Sequence, residues 1–366
     1  MKMERRKKIV VLGATGSVGA SALDVVRSHP GDFEVVAVSA LRSRERCERI
    51  AAELGAKAYV GEGAAKRAVE ESDADVCLVA TVGLSGLAPT MAAIGKGMPV
   101  ALATKEVLVA AGGLVTAAAK ARGVPLIPVD SEHSAVFQCM SAGAGGAVPV
   151  KRIALTASGG PFLDGPEDLS SVTAAQALAH PRWKMGPKVT VDSATMMNKG
   201  FEIIEACWLF GVSPDRVDVV VHPESTVHAL VTFEDGATLA QLSPPDMRVA
   251  VQYAFTWPGR IPAERAALDL AAAGALTFRR PDESRFPCLG LAKEAFARGG
   301  SAPAVLVAAD EWAVGRFIEG RIRFTDIARA VESCLKAAPA SACESEEEVA
   351  AACDWATGHL EATWRY

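Results

Sequence analysis

Residues 128–137 read PVDSEHSAVF, and at their centre Asp130-Ser131-Glu132 sets two carboxylates two positions apart after an apolar run. Taken alone, such a pair reads as a solvated loop. A second segment changes the weighing. Asp192-Ser193 opens it, and Thr195, Asn198, Lys199 and Glu202 follow at spacings of three and four, which on a helix predicted over about 195–210 share one face. Met196, Met197, Phe201, Ile203 and Ile204 fill the other positions, so the polar face reads as the lining of a closed site. Two carboxylates on a strand end and one on a helix offer three hard oxygen donors. That set suits Mg²⁺ or Mn²⁺ with positions left for substrate or water, and does not suit a Cys/His zinc site.

Smaller polar islands fit the same chemistry. Ser158-Gly159-Gly160 in LTASGGPF follows a strand and makes an anion-binding turn. Thr104-Lys105-Glu106 follows another strand, on the edge where ligands bind in open α/β sheets. HPRWKMG, His180 to Gly186, mixes Pro, Gly and large apolar residues as a lid does. Each also has a plain reading as a glycine turn, a helix cap or an ordinary loop; their joint occurrence argues for a site.

The elements that must position these groups begin with KKIVVLGATGSVGASALDVV, a strand, a glycine turn and a helix carrying Gly13, Gly16 and Gly19. Such glycines permit a tight turn and close backbone approach, and the helix start offers N–H groups to a pyrophosphate. A tight turn with nothing bound is the alternative. After the second strand the chain runs Leu41-Arg42-Ser43-Arg44, with no carboxylate before Glu45 to take a ribose 2′-hydroxyl. A basic residue and a hydroxyl suit a 2′-phosphate, so NADPH is favoured over NADH; a solvated helix start is the plainer account of the two arginines.

Strands are predicted at 8–12, 34–39, 75–80, 99–103 and 124–129, each built on a short apolar run as in a parallel sheet covered by helices on both faces. The fold class is therefore α/β: a Rossmann-like doubly wound domain over 1–129, an α+β domain over 130–257 with a flap near 180–188, a Pro- and Arg-rich linker over 258–287, and an Ala-rich helical domain over 288–366. Strands at 151–156, 217–221, 227–233 and 237–242 belong to the second part, and helices at 288–298, 303–319, 325–337 and 345–362 to the last. The acidic run at 343–351 reads as a helix start favoured by the helix dipole.

Bulk properties exclude several classes. A net charge of -5 gives no electrostatic footprint for nucleic acid. No run of about 18 apolar residues implies a membrane span, and the short apolar stretch from Ile9 to Leu12 is too brief for a signal peptide. The eight Cys form no CxxC pair and read as reduced thiols of a cytoplasmic protein.

With these residues assembled, the chain resembles the 1-deoxy-D-xylulose 5-phosphate reductoisomerase family. The likeness is carried by GATGSVG, ALATKEVLVAAG, PVDSEHSAVFQC, LTASGGPF, HPRWKMGPKVTVDSATMMNKGFEIIEA, LSPPDMRVAVQYAFTWP and AADEWAVGRFIEGRIRFTDI, in order through nearly the whole chain. The resemblance implies conversion of 1-deoxy-D-xylulose 5-phosphate and NADPH to 2-C-methyl-D-erythritol 4-phosphate, the committed step of the non-mevalonate isoprenoid pathway. It implies a divalent metal (Mg²⁺, Mn²⁺ or Co²⁺) held by Asp130, Glu132 and Glu202. Lys105 and Ser131 would contact the oxygenated carbons, and Ser158, Ser193, Asn198 and Lys199 the phosphate, with His180 alongside. Thr15, Gly16, Ser17 and Val18 would meet the cofactor phosphates, Arg42 and Ser43 the 2′-phosphate, and Thr104, Glu106 and Gly186 would lie toward the nicotinamide. Trp183 and Met185 would belong to the flap, and the chain would form a homodimer.

Three departures touch cofactor and flap rather than metal or phosphate: Thr104 where the family commonly has Asn, Lys184 where it has Ser, and Leu41-Arg42-Ser43 in place of Gly-Lys-Asn. Two rivals stand beside this reading. One is an NADP oxidoreductase acting on an aldehyde through a thiol, for which Cys139 is the best-placed candidate. The other is a non-catalytic NADP(H) sensor, which has no use for the three carboxylates.

Overall fold

A computed structural model of the chain describes residues 5–142, 149–263 and 267–364. Residues 1–4 and part of the predicted linker, 264–266, lie outside the described residues. The chain opens with alternating strands and helices: β1 Lys7–Leu12, α1 Ser17–Ser28, β2 Phe33–Ala40, α2 Arg44–Leu54, β3 Lys57–Val60, α3 Ala64–Glu70, β4 Val76–Val79, α4 Leu87–Gly95, β5 Val100–Leu102, α5 Glu106–Arg122, β6 Leu126–Pro128 and α6 Ser131–Ala142. The six strands form one parallel sheet in the order β3-β2-β1-β4-β5-β6. That is the doubly wound arrangement, with the order reversing between β1 and β4.

β3 was not expected from the sequence. Its four residues, KAYV, include an exposed Lys57 and Ala58 and pair only with β2. A short, half-wet edge strand lacks the apolar run that marks its buried neighbours.

The glycine turn is shaped by contact with backbone. Gly13 has φ +78°, and a Cβ there would lie 2.1 Å from the Ala80 carbonyl oxygen, so β4 closes directly over it. A Cβ on Gly19 would meet the Gly13 oxygen at 2.3 Å, which seats α1 against the turn. Gly13 and Ala14 donate their N–H groups to the Ser39 oxygen at the end of β2.

The remainder runs β7 Val150–Ala157, α7 Ala174–Ala177, α8 Pro187–Thr195, α9 Met197–Phe210, β8 Val217–Val221, β9 Val227–Phe233, β10 Thr238–Leu242, α10 Met247–Thr256, α11 Leu270–Ala273, α12 Cys288–Arg298, α13 Ala302–Ile318, α14 Phe324–Ala337 and α15 Glu346–Thr363. β7 pairs parallel with β8 and antiparallel with β9, making a mixed second sheet. Ser345 caps α15, and Glu346, Glu347 and Glu348 fill its first turn as the acidic run suggests.

Two compact units emerge, and they interleave along the chain. The first holds the parallel sheet, α6 and the segment Leu239–Ala273; the second holds Leu108–Leu114 from within α5, the chain from β7 to Thr238, and everything from Gly274 through α15. In the first unit α10 completes the core: Val251, Ala254 and Phe255 join Ile9, Leu23, Val35 and Ile127, and Phe255 meets Phe33 edge to face at 5.8 Å between ring centres. In the second, Trp208 of α9 lies against Gly112, where a Cβ would come within 2.2 Å of the indole.

The helix expected over 195–210 is α9, Met197–Phe210, and Thr195 instead ends the preceding helix α8. Met196 adopts φ 65°, ψ 7°, ending α8 and starting α9. A left-handed Met costs on the order of 1 kcal/mol. The break removes Thr195 from the polar face: its hydroxyl donates to the Asp192 carbonyl at 3.2 Å and accepts the Met197 N–H at 3.3 Å, bridging the reversal.

Candidate active site

In the first unit the carboxyl edge of the sheet gathers the predicted cofactor and carbon-end residues. Thr15 lies in the turn, and Gly16 is the N-cap of α1 with Ser17 and Val18 in its first turn. The first N–H groups of a helix have no intrahelical acceptor, so this end is built to meet an anion. Arg42 is exposed beyond β2, and Ser43 takes the N-cap position of α2 without its hydroxyl capping the helix. Thr104 is turned inward: its hydroxyl donates to the Thr81 carbonyl at 2.7 Å and its N–H to the Val79 carbonyl at 3.2 Å. It therefore supports the loop after β4. Glu106 is buried in the first turn of α5, where the helix dipole favours a carboxylate.

Asp130 is the hub of this edge. It follows β6, and Ser131 and Glu132 begin α6, so Glu132 stands on a helix and not on the strand end expected from sequence. The cause is local, because Asp130 caps the helix. Its Oδ1 accepts the Glu132 N–H at 3.1 Å and the His133 ring Nδ1 at 3.0 Å. Its Oδ2 takes the Lys105 ammonium at 2.7 Å. Ser131 donates to Glu132 Oε2 at 2.6 Å, and ligand oxygens of Asp130 and Glu132 lie within 4.8 Å of each other. His133, fully buried, was missed in the sequence although it stands within DSEHS. A histidine one position past an acid pair gives no sign that the helix start will turn it back onto the aspartate.

The second unit holds the rest. Glu202 is 1 % exposed, and α9 supplies two of its partners: Asn198 donates to Oε1 at 2.6 Å and Lys199 to Oε2 at 2.5 Å. The i, i+4 and i, i+3 spacings that suggested one face survive the helix break because all three residues follow it. Ser193 lies on α8, half-buried, beside the buried Asp192.

Ser158 follows β7, and its Oγ is a shared acceptor. The Gly160 N–H reaches it at 3.3 Å and His180 Nε2 lies 2.9 Å away. His180 Nδ1 accepts the N–H groups of Arg182 and Trp183 at 3.1 and 2.9 Å. Two donors on Nδ1 place the ring proton on Nε2, which donates to Ser158, and the serine proton then points away as a donor. The segment expected as a flap is tied to its own unit through Arg182 to the Pro223 carbonyl at 3.1 Å and Trp183 edge-on to His228 at 6.2 Å. Met185 is half-buried, and Gly186 caps α8 ahead of Pro187.

Burial holds the His180 pKa below its ordinary 6.5. A lowered histidine contributes stability that is complete above 6.5 and is lost as pH falls toward the folded value, because the unfolded chain takes the proton first. Denaturant unfolding across that range is expected to show stability falling with acidification, and His180→Gln to flatten the slope; an unchanged slope would contradict the assignment.

The thiol rival finds no support. Burial pushes the Cys139 thiol up to about 11, so it is not a thiolate near neutral pH. All eight cysteines are free.

A parallel nucleotide-binding sheet with a glycine turn at β1, joined to a unit of carboxylate, lysine and hydroxyl groups, defines the class of dinucleotide-dependent α/β oxidoreductases. Comparison with known proteins narrows the class. Models of the 1-deoxy-D-xylulose 5-phosphate reductoisomerase family match residues 9–60 and 44–112, of its C-terminal domain residues 126–210, and of a further C-terminal domain residues 242–359. A 1-deoxy-D-xylulose 5-phosphate reductoisomerase of Pseudomonas syringae is 47% identical, with 96% of each chain covered. The Zymomonas mobilis enzyme, solved with NADPH, is 37% identical with a TM-score of 0.88, covering 98% of this chain and 99% of that one. Another reductoisomerase, solved with NADPH, fosmidomycin and magnesium, is 35% identical with a TM-score of 0.89, covering 97% and 98%. The chain belongs to the 1-deoxy-D-xylulose 5-phosphate reductoisomerase family.

Proposed function

We propose that this protein converts 1-deoxy-D-xylulose 5-phosphate to 2-C-methyl-D-erythritol 4-phosphate with NADPH and a divalent metal. The observation that carries the reading is Glu202, a carboxylate buried to 1 % exposure and held by Asn198 and Lys199, in a chain that follows the family end to end. A sensor of NADP(H) would have no reason to bury that charge. The reading keeps the division into an NADPH-binding part over 1–129, a catalytic part over 130–257, a linker and a helical part.

Asp130, Glu132 and Glu202 fit a hard cation by donor chemistry: all three are carboxylates, whose oxygens each offer more than one lone pair. When bound, Mg²⁺, Mn²⁺ or Co²⁺ supplies Lewis acidity toward the oxygens at the reacting carbons, and NADPH supplies the hydride. The protein does the rest. Lys105 and Ser131, both held in the Asp130–Glu132 cluster, orient the substrate's carbonyl and hydroxyls. Ser158 offers its hydroxyl proton to the phosphate, with Ser193, Asn198 and Lys199. Phosphate binding is remote from the bonds that change, so its energy can be used to close the flap over Trp183 and Met185. A closed site also keeps water from the reacting carbons.

The first unit takes the cofactor through Thr15, Gly16, Ser17 and Val18 at the phosphates and Arg42 and Ser43 at the 2′-phosphate, with Thr104 and Glu106 toward the nicotinamide; Gly186, assigned to the same end, belongs to the second unit. Arg42→Ala is expected to weaken NADPH by about tenfold or more and NADH hardly at all, because only NADPH brings the 2′-phosphate; fluorescence titration with both nucleotides reads the difference, and equal losses would refute the role. NADPH deuterated at its transferable position should label only the CH2OH carbon attached to the methyl-bearing carbon of the product, observed by NMR. Label elsewhere, or none, would overturn the reaction.

Among the described residues no helix is long and apolar enough to cross a membrane. A cytoplasmic location is the finer reading, supported by the free thiols, and a homodimer is what the family resemblance implies; cell fractionation and light scattering test the two.

A further inference from the structure

Lys188 is the second residue of α8, just past the flap, and its ammonium is held inside the second unit. Nζ lies 2.6 Å from Asp192 Oδ2 and 2.7 Å from Asp310 Oδ2, the acids being 2% and 0% exposed. The same nitrogen stands 4.6 Å from the centre of the Phe201 ring. One cation therefore meets three helices: its own, α9 and α13. No step derived above uses it.

A buried ion pair is a poor source of stability, because desolvation offsets most of the attraction between the charges. What it supplies is direction. Asp192 precedes Ser193, Phe201 precedes Glu202, and Lys188 follows Gly186 closely, so the contacts on α8 and α9 adjoin residues assigned to the substrate or the metal. Asp310 supplies the anchor, from a helix buried along most of its length. α8 needs one. It has nine residues and ends on the left-handed Met196, too short to hold its own register.

We propose that Lys188, clamped between Asp192 and Asp310, is a positioning residue that fixes the register of α8 so that Ser193 faces the substrate phosphate. The proposal rests on the assignment of Ser193, Asn198 and Lys199 to that phosphate. Lys188→Met combined with Asp310→Asn removes one charge of each sign, so the cluster's net charge is unchanged. Asp310→Asn alone keeps shape and volume should the double variant fold poorly.

The readouts are KM for 1-deoxy-D-xylulose 5-phosphate, competitive inhibition by inorganic phosphate, and NADPH affinity by fluorescence. The double variant is expected to raise KM and weaken phosphate inhibition about tenfold, and Asp310→Asn about threefold, as loss of a supporting partner does elsewhere. NADPH affinity should stay within about twofold, since its proposed ligands do not depend on α8 except at Gly186. Wild-type KM and phosphate inhibition in both variants would overturn the proposal, and so would an equal loss of NADPH affinity, which would mark general damage. Ser193→Ala separates the two layers. If it weakens phosphate inhibition and the cluster variants do not, only the positioning role falls; if it does not, the phosphate assignment falls and the proposal with it.

Discussion

Glu202→Gln is expected to lower kcat/KM by on the order of 10³-fold while NADPH still binds. The substitution keeps shape and removes charge. In the native chain both carboxylate oxygens accept, from the Asn198 amide at 2.6 Å and the Lys199 ammonium at 2.5 Å. A glutamine amide would have to turn its own NH₂ toward one of these donors, so one hydrogen bond becomes a repulsion. Lys199, 5% exposed, would then lose the Glu202 charge beside it, which costs about 1–3 kcal/mol of stability and loosens a group assigned to the phosphate. The metal site proposed at Asp130, Glu132 and Glu202 would lose one anionic donor. Turnover followed at the nicotinamide absorbance, with NADPH affinity measured in parallel, checks both halves. Near-normal activity in chelator-cleaned buffer would show that Glu202 holds no metal.

Gly19→Ala is expected to weaken NADPH by about 10²-fold, because it moves the helix start that is assigned to the pyrophosphate. A methyl group there would meet the Gly13 oxygen at 2.3 Å and the Ala14 Cα at 2.7 Å, all backbone. Neither can rotate away, and Gly13 is itself held under the Ala80 carbonyl, so α1 must back off from the turn. Overpacking of this kind costs about 1–3 kcal/mol. Gly16→Ala is the control: its nearest neighbour would be the Gly13 oxygen at 3.3 Å, and thermal stability should stay close to wild type. Cofactor titration and thermal unfolding of the two variants test the turn. Wild-type NADPH affinity in Gly19→Ala would mean that α1 does not seat the pyrophosphate.

Much of this was legible because the signals were local. β1 and β2 are continuous apolar runs, and a strand, glycine turn and helix in succession specify a dinucleotide-type βα unit almost without context. Asn198, Lys199 and Glu202 were placed on one face by spacing alone. What sequence could not supply depended on backbone exceptions and distant partners. Met196 reverses the chain between α8 and α9 from a left-handed conformation that Met has no preference for, so a continuous helix was the natural expectation and Thr195 was misplaced on its face. Glu132 was put on a strand end because the apolar run of β6 leads straight into it; that Asp130 caps α6 becomes visible only through its acceptor bonds. β3 is too short and too wet to announce itself. Lys188 and Asp310 come from helices far apart in sequence, and neither residue carries a mark of the other.

The most direct test of the account is NADPH oxidation on addition of 1-deoxy-D-xylulose 5-phosphate to the purified protein, with and without chelator, followed at the nicotinamide absorbance. Substrate-dependent oxidation that stops with chelator and returns with Mg²⁺ or Mn²⁺ is the predicted result. No oxidation with metal supplied, or oxidation indifferent to the chelator, would contradict it.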